Sequence, residues 1–297
     1  MEMNLNNPFK SQWEMVEEHC DWPTRLRDII EVDFSDFAEQ VCLGEEDFAA
    51  AFVESLFSGD IIILKNALPK NFLLSARELL HQHGQKTKSE YFQMLEGCPD
   101  FHRLINGDIA KNYSFKAIKH SYYFFPWNED RFQLLDETYK RWSIIKVASG
   151  LRSDEYRTNT PKDGIVDRLQ VVHYPAGAGQ IETHSDPYKI QRVIISGIMS
   201  KRGEDYDTGG AYFVNGEDEK TDIEDRLDCG DWVIYAPTVL HGVKTVDEAL
   251  EPNWKTSKGR WWFGPFSNAS NEIKDRHTGY SVQEVANERI QSAFRLS

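Results

Sequence analysis

The residues best placed to do chemistry together are His184, Asp186 and His241. The first two flank Ser185, and His241 follows His184 by 57 residues. Side chains at i and i+2 of an extended chain point to the same face, so His184 and Asp186 can converge on one ion. A histidine from a distant strand then completes a set of three ligands on one side of a metal. Two imidazoles and one carboxylate, with the remaining positions open, suit non-haem Fe(II) oxygen chemistry. By itself the pattern is weak in a chain with nine histidines, and its flanks must decide. The other histidines read more simply. His173 precedes Tyr174 and faces the other side of its strand, which makes it a packed or surface residue. His81 and His83 sit near a helix end, where a cation suits the dipole, and read as surface. His277 follows the last strand, in a loop. Asp205, Asp207, Glu217, Asp218 and Glu219 read as solvated turns, since they lack the glycine and distal glutamate of a calcium loop.

The elements that must position these residues come late in the chain. From about residue 167 the apolar period is that of short strands separated by Gly, Pro and Asp turns, the pattern of a sandwich or barrel. These strands cover 168–174, 192–199, 209–214, 231–236 and 259–266. Period-2 alternation puts Arg168, Gln170 and Tyr174 on one face. If Tyr174 faces the metal, the other two line the same space; Arg168, Gln170 and Arg192 are otherwise exposed or ion-paired. Trp261 and Trp262 must point to opposite sides. Before the strands, residues 9–58 read as short helices, Ile61 to Leu64 as a strand, and 70–83 and 129–149 as helices with apolar stripes. The aromatic run Tyr122 to Trp127 reads as core, or alternatively as a lid or substrate wall at the site. Residues 281–295 read as a terminal amphipathic helix.

With the flanks included, the chain resembles the Fe(II)/2-oxoglutarate-dependent dioxygenase superfamily, in particular its prolyl-hydroxylase-like branch. The resemblance runs through 168–266 and faintly through 59–83. Its carriers are RLQVVHYPAGAGQIETHSD at 168–186, the strand from Gln191 to Ser200, and DTGGAYF at 207–213. CGDWVIY at 229–235, Pro237, His241-Gly242-Val243 and Gly259-Arg260 continue it.

The resemblance implies a mostly β chain with flanking helices around a double-stranded β-helix (a jelly-roll, cupin-like) core. It implies one catalytic domain: a helical and aromatic part over 1–166, the jelly roll over 167–267 and a helical tail over 268–297. His184, Asp186 and His241 would bind Fe(II). Arg260 would meet the far carboxylate of 2-oxoglutarate, a task that suits a guanidinium fork, with Lys244 and Lys258 as weaker alternatives. The hydroxyl residue many families carry two positions on is here Trp262, so the second carboxylate partner is open. Tyr174 is a candidate for it, with Gln170 beside it as a further cofactor-binding candidate. The implied activity uses O2 and 2-oxoglutarate, releases succinate and CO2, and hydroxylates a C–H bond; the carboxylate ligand Asp186 favours hydroxylation over halogenation. A compact domain without a recognition module points to a small-molecule substrate such as an amino acid or biosynthetic intermediate. Alternatives are a protein or peptidyl hydroxylase, marked by an open groove, and a non-catalytic jelly-roll binding protein.

Composition narrows the partners. The 297 residues carry 34 Lys and Arg against 48 Asp and Glu, a net charge of −14. No basic cluster suggests a nucleic-acid surface, and no apolar run approaches a membrane span. The acidity points to solubility and to a neutral or cationic substrate. The start, Met1-Glu2-Met3-Asn4, lacks the features of a signal peptide. The four scattered cysteines read as reduced thiols of a cytoplasmic protein. Oligomeric state is not written in the sequence.

Overall fold

The computed structural model describes residues 7–19, 21–111, 115–188, 190–274, 276, 279–282 and 284. Its helices are α1 (Pro8–His19), α2 (Phe34–Leu43), α3 (Glu46–Phe57), α4 (Lys70–Lys86), α5 (Gly107–Ala110) and α6 (Leu134–Ala148). The first strands are β1 (Ile29–Asp33), β2 (Ile61–Lys65), β3 (Phe101–Ile105) and β4 (Ala117–Phe124). There follow β5 (Ile165–Pro175), β6 (Gln180–Ser185), β7 (Ile194–Ile198), β8 (Gly210–Val214) and β9 (Lys220–Asp222). The last are β10 (Trp232–Tyr235), β11 (His241–Lys244), β12 (Gly259–Ala269) and β13 (Tyr280–Ser281).

Hydrogen bonding links them in the order β1-β2-β10-β7-β12-β5-β4-β6-β11-β8-β9, with β3 on β4 and β13 on β6. The path folds back on itself at β4, which pairs with β5 on one side and with β6 on the other. From β5 to β12 the chain passes repeatedly between two walls. β5, β7, β10 and β12 lie in one and β6, β8, β9 and β11 in the facing one. This is the winding of a jelly roll, as the sequence resemblance implies. The long β5–β12 pair, in register from Gly259 opposite Pro175 to Ala269 opposite Ile165, is its spine.

Alternation along the first wall assigns each side chain to a layer. Ile61, Ile63, Ile194, Ile198, Val233 and Tyr235 turn inward and meet Phe213 and Ile223 from the other wall. Ile62, Leu64, Trp232, Ile234, Trp261 and Phe263 turn outward and are covered by the helices, with Trp13, Phe52, Leu73 and Trp142 among the covering residues. The outer layer therefore explains the long helical preface: an all-apolar outer face needs helices to bury it. A buried ion pair ties α6 to the spine. Lys146 Nζ lies 2.6 Å from Asp167, whose carboxylate also accepts from the Tyr139 and Ser267 hydroxyls at 2.9 and 2.8 Å.

Several expectations shift. β1 falls inside the stretch read as helical, because Ile29 to Asp33 pairs parallel to β2 and gains its structure from that edge. Helix α6 starts at Leu134, later than 129, because Gln133 takes a left-handed conformation (φ 56°) that the helix cannot include. The aromatic run is the end of β4: Tyr122 and Phe125 are core, while Tyr123 faces the interior cavity. In the expected tail, β12 runs on to Ala269 and Tyr280–Ser281 is a strand, while Val282 and Glu284, the described residues beyond it, are helical. Most of 281–295, and His277, lie outside the described residues.

Candidate metal centre and its cavity

His184 is near the end of β6 and His241 opens β11. The two residues are directly paired across the strands, and their ring centroids are 4.4 Å apart. Asp186, just past β6, is held by its own backbone N–H donating to the Pro237 carbonyl at 2.8 Å. Its Oδ2 lies 3.5 Å from His241 Nε2. The potential ligand atoms of all three lie within 4.8 Å of one another.

The ring nitrogens are sorted by the backbone. His184 Nδ1 donates to the Glu182 carbonyl and His241 Nδ1 to the Val239 carbonyl, both at 2.9 Å. A carbonyl can only accept, so each Nδ1 carries the proton and each Nε2 keeps its lone pair for a cation. The donor set, two imidazole nitrogens and a carboxylate oxygen, fits a divalent transition metal with open positions. Phe115 stacks on His184 at 4.6 Å, and the Tyr235 hydroxyl donates to His241 Nε2 at 3.2 Å. Burial, then the neighbouring His241, holds the His184 imidazole well below its ordinary pKa. Burial pushes the Asp186 carboxyl up, against the pull of His241, Lys119 and Arg168.

The three open onto a cavity of about 460 Å³ between the two walls. Gln170, Tyr174, Arg168, Arg260 and Trp262 all line it, as alternation along β5 and β12 requires. Arg260 faces the position of Tyr174 across the β5–β12 pair. Burial pushes the Tyr174 phenol up to about 12, so it is a hydrogen-bond donor at neutral pH. Lys244 and Lys258 are exposed and absent from the cavity wall. Lys244 ends β11 on the solvent side, and Lys258 offers its carbonyl to His173. That leaves Arg260 as the basic residue of the three in the cavity.

Arg260 has a partner that the sequence did not reveal. Its Nε donates to Glu224 Oε1 at 2.6 Å, with both side chains almost fully buried. Glu224 also accepts from the Ala211 N–H at 2.6 Å and from the Tyr206 hydroxyl. The double glycine makes room for it: at Gly210 (φ 111°) a Cβ would stand 2.5 Å from Glu224 Cγ. Glu224 lies in a short 3-10 turn (Glu224–Arg226), and no local pattern marks it.

Other expectations resolve against function. Arg192 pairs with Glu17 at 2.7 Å and stands away from the cavity. His173 is packed, stacking on Trp261 at 4.3 Å. His81 is buried and not a surface residue: its Nε2 donates to the Lys255 carbonyl at 3.2 Å. Asp205 meets Arg77 at 2.8 Å and Asp218 meets Arg25 at 2.7 Å, so neither belongs to an ion site. The sequence reading also passed over Arg103, Lys119 and Arg276, which line the cavity. Lys119 would have been legible only with β4 recognised as a strand in register with β5.

No family model and no curated protein matches the sequence. Solved structures do. A Pseudomonas putida prolyl-4-hydroxylase is 12% identical, with 73% of this chain and 96% of that chain covered and a TM-score of 0.46. A full-length Neurospora crassa protein in complex with alpha-KG and thymine is 15% identical, covering 89% and 96%, at 0.47. A Trichoplax adhaerens prolyl hydroxylase in complex with a peptide fragment of a hypoxia inducible factor is 14% identical, covering 80% and 92%, at 0.47.

Proposed function

We propose that the chain is a non-haem Fe(II)/2-oxoglutarate-dependent dioxygenase that hydroxylates a small molecule. One observation carries this reading: two histidines whose Nε2 atoms carry no proton and a carboxylate converge at the wall of a cavity that also holds Arg260. His184, Asp186 and His241 would hold the iron. When bound, iron would let O2 act as the oxidant of both 2-oxoglutarate, giving succinate and CO2, and the substrate C–H bond, giving the alcohol, with one oxygen atom entering each product. The chain's own part is positioning. The Glu182 and Val239 carbonyls fix the two imidazoles, and Glu224 fixes the guanidinium that would receive the co-substrate's far carboxylate. The Tyr174 phenol stands across from Arg260 as a second donor.

The small-molecule reading is supported by the size of the space. The space lies between the two walls, about 460 Å³ in volume, the size of a small-molecule pocket.

Anaerobic titration of Fe(II) with 2-oxoglutarate tests the reading. The wild type should develop the weak visible charge-transfer band of a chelated keto acid, and His241→Ala should not. Arg260→Ala should keep iron binding and raise the 2-oxoglutarate requirement. No band in the wild type would favour a binding protein instead.

A further inference from the structure

The cavity carries more positive charge than 2-oxoglutarate accounts for. Arg103, Lys119, Arg168, Arg260 and Arg276 line it, and Asp186 is the sole carboxylate among the lining residues. This occurs inside a chain of net charge −14. Arg260 is matched by Glu224; Arg168 and Lys119 form no ion pair among the described residues, and Asp186 is the carboxylate that attracts both across the cavity. The Arg168 side chain donates once, from Nη2 to Gln170 Oε1 at 3.0 Å, and its buried Nε has no acceptor. Its guanidinium lies over the Tyr123 and Phe266 rings, at 5.3 and 5.6 Å. Asn268 Nδ2 and Arg276 Nε are likewise buried without acceptors. Lys119 Nζ makes no hydrogen bond or ion pair among the described residues.

Arg168 and Asn268 are half-buried residues, but the Arg168 Nε and Asn268 Nδ2 atoms are shut off from solvent, and buried donors are normally satisfied. Several unmet donors around one space form a socket for an oxyanion, which accepts from all of them and neutralises their charge. Arg168 and Asn268 stand apart from Arg260, whereas Lys119, next to His120 opposite His173 on the β4–β5 ladder, lies level with Tyr174 at the Arg260 end. Along β5, Arg168 lies six residues from Tyr174, the residue opposite Arg260, which is about 20 Å at the rise of a strand. Between the cations the walls are aromatic: Tyr91, Phe101, Tyr123, Phe125 and Phe266.

We propose that Arg168, with Asn268 beside it on the β5–β12 pair, forms an anion subsite that recognises the substrate of the reaction proposed above, an apolar-bodied small molecule bearing a carboxylate or phosphate. This rests on the dioxygenase reading for the reaction but not for the binding. It also reverses the expectation of a neutral or cationic substrate, because whole-chain charge does not describe the cavity.

The test is calorimetric, with Mn(II) replacing Fe(II) and 2-oxoglutarate saturating, so that nothing turns over. The probes are 3-phenylpropanoate, phenyl phosphate and the neutral 3-phenylpropanamide. One or both anions should bind about tenfold or more tightly than the amide, the size of one charge-assisted contact. A carboxylate preference identifies an acid, and a phosphate preference a phosphate ester. Arg168→Gln should bring anions and amide within about twofold, while Arg168→Lys keeps most of the preference and shows that the cavity is intact. Equal binding of anions and amide by the wild type overturns the proposal. So does a preference that survives Arg168→Gln. If the wild type fails to bind Mn(II) and 2-oxoglutarate, the dioxygenase reading falls. The anion preference is then decided by the same series without them, wild type against Arg168→Gln.

Discussion

Glu224→Gln isolates what the carboxylate does for Arg260. The glutamine has the same shape, so no cavity forms, but the charge is lost. The Arg260 guanidinium, 3% exposed, would then sit in the interior without a counter-charge. Removing one partner of a buried pair costs about 3–5 kcal/mol. The low end applies here. The glutamine oxygen can keep one of the bonds from Arg260 Nε and the Ala211 N–H, and the Tyr206 hydroxyl can turn to accept. At roughly 2–4 °C of Tm per kcal/mol for large domains, about 3 kcal/mol predicts a fall of about 6 °C or more. Urea unfolding of the wild type, Glu224→Gln, Arg260→Gln and the double variant closes the cycle. The double variant, with neither charge, should be more stable than the sum of the single losses predicts, by about 1–3 kcal/mol. Strict additivity, or a Tm for Glu224→Gln within a degree of wild type, would refute the reasoning: Glu224 would then be a bystander and Arg260 positioned by its strand alone.

The buried histidines predict acid sensitivity. Burial pushes His120 and His173 down to about 3, so they stay neutral in the folded chain while the unfolded chain protonates them near 6.5. Stability is then full above pH 6.5 and falls as pH drops below it, by up to about 1.4 kcal/mol per pH unit for each. Asp100, raised by burial to about 6, offsets roughly one of them below pH 6. Tm measured from pH 7 to 4.5 should fall, and His173→Gln should flatten the slope; a level profile in the wild type would sink this account. Gly197→Ala should cost about 1–3 kcal/mol by overpacking, since a Cβ there would stand 2.3 Å from the Phe263 ring. An unchanged midpoint in urea would show that the ring can move aside.

The legible parts of the site are those where local spacing and sheet geometry coincide. HxD in an extended segment places two side chains on one face whatever the surroundings, and the paired strand supplies His241. Period-2 alternation carried Arg168, Gln170 and Tyr174 to the cavity together. Glu224 was hidden because its task is set by a residue 36 positions away, and nothing near it in sequence hints at the contact. β1 and β4 were hidden for another reason: each is a strand by virtue of its neighbour, β2 in one case and β5 in the other. With β4 unread, Lys119 had no face to belong to, and the second half of the cavity could not be assembled.

Charge is where sequence arithmetic misled most, and pairing explains why. Two interior cations, Lys146 and Arg260, each have a carboxylate within 2.6 Å and further hydrogen bonds on that carboxylate. Their charges are consumed within the fold, one fastening a helix to the spine and the other fixing a side chain for use. Arg168 and Lys119 face the cavity without an ion pair among the described residues, with Asp186 the one carboxylate in its lining. A net charge counts both kinds alike and adds the solvated acids of the surface, although only the unmatched interior charges act on a ligand. Sorting buried cations by whether the chain answers them therefore separates what holds the cavity open from what would bind inside it. Here that sorting puts a positive binding space inside a negative molecule.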